Sequence, residues 1–192
     1  NKLATKVAII YNSSDTYSSG IYQTFATEAK AKGLDVVAAE AFTADNKTDF
    51  SVQIQKAKDA GAELVFLPIY YQEASLILAQ ANKAGFTPKW FGCDGMDGIL
   101  DLEGFDANLA EDLMFLTPFT ANATDEATQK FVADYKEAFG DTPIQFAADA
   151  YDCVYVIKAA AEKENVTPDQ SVSDICDALK KGMTEITYDG LT

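Results

Sequence analysis

The stretch Lys6-Val7-Ala8-Ile9-Ile10-Tyr11-Asn12-Ser13-Ser14-Asp15-Thr16-Tyr17-Ser18-Ser19-Gly20 decides the fold. Val7–Tyr11 is a short, unbroken apolar run closed by polar turn residues, the pattern of a strand buried on both faces. The hydroxyl-rich segment after it leads into Ile21, Phe25 and Ala29. Those three share one face of a helix, and Gly33 stops it.

The same alternation repeats along the chain. Val36–Ala38, Leu64–Leu67, Trp90–Phe91 and Leu113–Leu116 read as further buried strands. Asp49 reads as the N-cap of a second helix that runs to Gly61. Leu76, Leu78, Ala79 and Ala81 mark a third, ending at Gly85. Phe131, Tyr135 and Phe139 mark a fourth, ending at Gly140. Strands alternating with helices imply right-handed crossovers and a parallel sheet. The expected fold class is therefore α/β, a doubly wound, Rossmann-like parallel sheet over residues 1–142.

Residues 143–192 read differently. From Ile144 to Lys163 the pattern is helical and apolar almost all round, so this helix needs cover on most sides. A turn at Asn165–Asp169 precedes another helix, with Val172, Ile175, Cys176 and Leu179, expected to end at Gly182. Ile186–Gly190 then reads as the start of a strand or turn.

Composition removes several functions. The formal net charge is −15, which repels nucleic acid and anionic membranes and also keeps a protein soluble. The chain has no histidine, so Ser-His and Cys-His pairs and histidine zinc sites are excluded. It has no arginine, and so no bidentate fork for phosphate or guanine. No metal, cofactor or nucleic acid is expected. Catalysis is not expected either, since Tyr17, Glu73 and Asp94 are the only candidates for a base or nucleophile at the strand ends. The three cysteines, Cys93, Cys153 and Cys176, have no paired spacing and read as mostly buried thiols. Asn1–Lys6 runs straight into the first strand without a leader pattern, and no apolar run is long enough to span a membrane.

Ligands of open parallel sheets bind outside the carboxyl ends of the strands. The residues there include Tyr17 after the first strand, Tyr70 and Tyr71 after the third, and Asp94 after the fourth. Aromatic faces and one acid suit an ammonium group. The same tyrosines also read as half-buried sheet-edge packing, and Asp94 as a turn former between glycines. The serine-rich loop matches neither GxGxxG nor a P-loop, and Asp15 would repel a phosphate there. A receiver-type domain is disfavoured, because no acid pair follows the first strand.

These motifs together resemble the second lobe of type I periplasmic binding proteins, the leucine–isoleucine–valine-binding group most of all. The resemblance runs through Lys6–Tyr11 with Asp15–Gly20, Lys47-Thr48-Asp49-Phe50-Ser51, Gly61-Ala62-Glu63-Leu64-Val65, Gly85-Phe86, Ala150-Tyr151-Asp152-Cys153-Val154 and Tyr188-Asp189-Gly190-Leu191-Thr192. It covers essentially the whole chain. It implies a non-enzymatic, extracytoplasmic solute-binding protein of an ABC importer that closes two lobes on an amino acid. A ligand-sensing lobe of a receptor or regulator has the same fold and stays open as the alternative.

Carried over to this chain, Tyr17 resembles the tyrosine that covers the ligand. Tyr70 resembles the tyrosine after the third strand, with Tyr71 its one-residue alternative. Asp94 resembles the acid on the ligand ammonium, where the family often has the longer Glu. Phe146 resembles an aromatic that lines the pocket from the crossover helix. The resemblance also implies that the chain is one lobe plus crossover helices. A membrane permease would then be the partner of the longer protein. The helix pair would dock on its own lobe or exchange with a second copy to form a homodimer.

Overall fold

The computed structural model describes residues 3–192. The chain divides into two compact units, Asn1–Thr117 and Pro118–Thr192. That division falls earlier than the 142/143 boundary expected from the sequence. The physical reason is a core shared by the fourth and fifth helices, described below.

The first unit is built on a five-stranded sheet in the order β2-β1-β3-β4-β5, with every pair parallel. The strands are β1 (Lys6–Asn12), β2 (Asp35–Phe42), β3 (Leu64–Leu67), β4 (Lys89–Gly92) and β5 (Met114–Phe115). Helix α1 (Thr16–Lys32) joins β1 to β2, α2 (Ser51–Asp59) joins β2 to β3, and α3 (Tyr71–Lys83) joins β3 to β4.

Strand side chains alternate between faces, so a strand apolar at every position feeds two cores at once. Val7, Ile9, Leu64 and Phe66 pack on one face with Ile21, Tyr22 and Phe25 of α1. Ala8, Ile10, Val65 and Leu67 pack on the other with Ile54 and Ala57 of α2 and Ala74, Ile77, Leu78 and Ala81 of α3. Helices thus cover both faces, as in a doubly wound fold.

Several local expectations change. The cap of helix α2 lies one residue beyond the expected Asp49. Phe50 holds the cap position, fully buried, with its N–H on Gln80 Oε1 at 2.8 Å. Asp49 instead accepts from Ser51 N at 3.0 Å, and the helix ends at Asp59, short of Gly61. In α3 the buried face is Ala74, Ile77, Leu78 and Ala81, and Leu76 is exposed. No α-helix joins β4 to β5. Three short 3-10 turns do so, at Asp94–Met96, Ile99–Asp101 and Ala107–Ala110, and the first two bury Met96 and Ile99. Strand β5 is only two residues long, because β4 offers it just Phe91 and Gly92 before the chain turns away.

The second unit holds α4 (Glu126–Phe139), α5 (Gln145–Lys163) and α6 (Val172–Glu185). Phe131 and Val132 of α4 share a core with Ala148 of α5 and with Phe119. Helix α6 runs past Gly182 to Glu185. Gly182 faces α5 so closely that a Cβ there would lie 2.7 Å from the Ala160 carbonyl oxygen. The glycine therefore serves a close helix crossing and not a stop. Residues 186–192 form no strand. Asp152, buried on α5, holds them instead by accepting from Leu191 N at 2.8 Å, Thr192 N at 2.9 Å and Thr192 Oγ1 at 2.9 Å. All three cysteines are free thiols. Cys93 is buried, but Cys153 and Cys176 are exposed on helix surfaces, contrary to the expectation of buried thiols.

Candidate functional site

Strand β1 lies between β2 and β3, so the chain leaves it in opposite directions on its two sides. In open α/β sheets that switch point opens a crevice at the carboxyl ends of the strands. Tyr17 follows β1 and Tyr70 follows β3, one on each flank of the crevice.

The turn after β1 is fixed by its own polar groups. Asn12 Oδ1 accepts from Ser14 N at 2.9 Å. Asp15 caps α1 by accepting from Tyr17 N and Ser18 N, both at 3.3 Å. Ser18 is fully buried, and its hydroxyl accepts from Asn12 N at 2.8 Å. The serine-rich loop is thus occupied internally, as capping chemistry predicts for Asp and Ser before a helix.

Tyr17 is thereby set at the second position of α1. Its hydroxyl donates to Asp94 Oδ1 at 2.9 Å and accepts from Gly95 N at 3.2 Å. Its ring lies 5.1 Å from that of Tyr70, tilted by 31°. Tyr70 caps the start of α3 and is 39% exposed. Gly95 was not singled out in the sequence as a site residue. A Cβ at that position would lie 2.7 Å from Ile69 O and 3.0 Å from the Tyr17 hydroxyl. The visible signal was the second glycine of Gly92-Cys93-Asp94-Gly95.

The structure therefore brings Tyr17, Tyr70 and Asp94 together. It places Tyr71 elsewhere: half-buried at the first turn of α3, packed against the α2–α3 core. Phe146 lies in the second unit, half-buried in the first turn of α5. Glu73 is committed to Lys47 by an ion pair of 3.1 Å, with its side chain 11% exposed.

The electrostatics of the crevice are acidic. Burial raises the Tyr17 phenol well above its ordinary value; the bond to Asp94 adds to this and the Gly95 N–H opposes it. Burial likewise raises Tyr70, with the charges of Asp15, Asp94 and Glu73 behind it. The Cys93 thiol, beneath the same turn, is pushed up to about 11 by burial first and Asp94 second. Among the described residues, the ion pairs leave Asp94 without a lysine. No cluster of three metal-ligating side chains occurs among them. What the crevice offers is two tyrosine rings and a carboxylate that accepts from one of their hydroxyls.

The periplasmic binding protein family model matches residues 1–192. This chain belongs to that family. Among its relatives, Leu/Ile/Val-binding protein homolog 7 of Brucella suis is 30% identical over 143 residues, covering 72% of this chain and 35% of the relative. The leucine-, isoleucine-, valine-, threonine-, and alanine-binding protein of Pseudomonas aeruginosa is 25% identical, covering 88% of this chain and 44% of the relative. Among solved structures, the branched-chain amino acid transporter substrate binding protein LivJ of Streptococcus pneumoniae, in complex with isoleucine, is 28% identical. It superposes with a TM-score of 0.75 over 93% of this chain and 49% of that one. The chain spans less than half the length of these relatives. The type I group expected from the sequence, with its branched-chain amino-acid affinity in relatives, is thus the group to which the chain is similar.

Proposed function

We propose that the first unit is one jaw of a two-lobed amino-acid-binding protein, and that Tyr17, Tyr70 and Asp94 hold the ammonium end of the ligand. The observation that carries this is the meeting of two tyrosines and an acid without a lysine at the sheet's switch point. A carboxylate supplies a charge-assisted bond to an ammonium, and the rings supply cation–π attraction. The jaw has no guanidinium for a ligand carboxylate, since the chain lacks arginine. The carboxylate end then belongs to an opposing lobe, and hinge closure brings the two together.

Tyr71 is a packing residue in this reading. The longer protein works outside the cytoplasm and delivers its ligand to a membrane permease. Among the described residues no helix is long and apolar enough to cross a membrane. The relatives named for leucine, isoleucine and valine support a small aliphatic amino acid as ligand. A thermal-shift panel of amino acids and their desamino analogues, run on the full-length protein, tests the proposal. Stabilisation by aliphatic amino acids and none by the desamino acids is expected. Equal response to both series would contradict it.

A further inference from the structure

Tyr17 makes two kinds of contact in the crevice, through its ring to Tyr70 and through its hydroxyl to Asp94. A ring that merely covers a ligand does not need the hydroxyl. The hydroxyl has one proton to donate and lone pairs to accept with. Gly95 N–H occupies the accepting side at 3.2 Å, which leaves the proton directed at Asp94 Oδ1 at 2.9 Å. The backbone can come this close only because Gly95 has no Cβ, which would press on Ile69 O and on the hydroxyl itself.

We propose that Tyr17 is a positioning residue for Asp94: held by Gly95 N–H, its hydroxyl fixes the carboxylate through Oδ1 and leaves Oδ2 as the oxygen offered to a ligand N–H. This rests on the reading of Asp94 as the ammonium partner. It deepens that reading by assigning ligand selectivity to a residue that acts through another. A fixed carboxylate bonds a charged ammonium without first being ordered, so the benefit goes to ligands that carry that charge.

The test uses the full-length protein, with L-isoleucine and its 2-hydroxy analogue as probes. Tyr17→Phe keeps the ring and removes only the hydroxyl. It should weaken L-isoleucine roughly tenfold, the scale of one hydrogen bond to a charged group. The hydroxy analogue should stay within about twofold, and Tyr17→Phe should add no further loss in an Asp94→Asn background. Equal losses for both probes, no loss for either, or additive losses in the double variant would overturn the positioning role. If the wild-type protein ignores L-isoleucine, or Asp94→Asn leaves its binding unchanged, the underlying reading of the site falls instead. A crystal structure of the Tyr17→Phe protein without ligand then decides the positioning claim. A displaced Asp94 carboxylate upholds it, and an unmoved one overturns it.

Discussion

The Tyr17 hydroxyl and the Asp94 carboxylate, 77 residues apart in the chain, are joined by a 2.9 Å hydrogen bond across the switch point of the sheet. Burial raises the Tyr17 phenol from its ordinary 10.0, so the folded chain holds this proton more tightly than the unfolded chain does. The resulting stability is complete below pH 10.0 and is lost as the pH climbs from there through the folded value. Denaturant midpoints of wild type and Tyr17→Phe, compared on both sides of pH 10.0, should show a smaller alkaline loss in the variant. Parallel alkaline losses would argue against the buried, bonded phenol.

Asp152 fastens the end of the described chain. It accepts from both Leu191 N and Thr192 N and from Thr192 Oγ1, while Leu191 packs against the second unit's core. Asp152→Ala removes every one of these acceptors and should destabilise the second unit by about 1–3 kcal/mol. Asp152→Asn keeps one acceptor oxygen and should cost less. Hydrogen exchange at Leu191 and Thr192 is the direct readout, and protection that survives in the alanine variant would contradict the latch.

The three cysteines should divide two to one. Cys93 is buried and its thiol is pushed up to about 11, so little thiolate is present at neutral pH. Cys153 and Cys176 are exposed. A thiol-specific reagent at neutral pH should label Cys153 and Cys176 quickly and reach Cys93 only after unfolding. Three equal rates would mean that the Asp94 turn opens readily.

Helix α5 presents Tyr151, Val154, Tyr155 and Ile157 to solvent, and α6 presents Val172 and Met183. Exposed apolar area on this scale is normally covered by a partner. In a longer protein we assign that cover to the other lobe. The 192-residue chain alone should instead pair with a second copy through these helices, seen as a concentration-dependent dimer in light scattering. Val154→Glu with Ile157→Glu should return it to monomer. A wild-type chain that stays monomeric at all concentrations would exclude the exchange.

The sheet was legible in the sequence because its central strands carry unbroken apolar runs, and that pattern has one common meaning in an alternating α/β chain. β1 and β3 match it, since Val7–Ile10 and Leu64–Leu67 feed both cores. The link from β4 to β5 was not legible. Its 3-10 turns bury isolated residues such as Met96 and Ile99, which leave no helical period behind. The division after Thr117 was hidden for a related reason. α4 has the amphipathic pattern of any crossover helix, and periodicity does not say which core its apolar face meets. Tyr70 and Tyr71 are chemically identical neighbours, and only the start of α3 between them sends one ring to Tyr17 and the other to the core. Gly95 carried no signal beyond its being a glycine, because its role lies in a Cβ that is missing.

The central claim is that Asp94 holds the ammonium of an amino acid. Calorimetric titration of L-isoleucine into the full-length protein, wild type against Asp94→Ala, tests it most directly. Loss of a bond to a charged group should cost about 1.5–3 kcal/mol, a weakening of roughly ten- to hundredfold. L-Isoleucine bound equally well by the wild type and by Asp94→Ala would contradict the account.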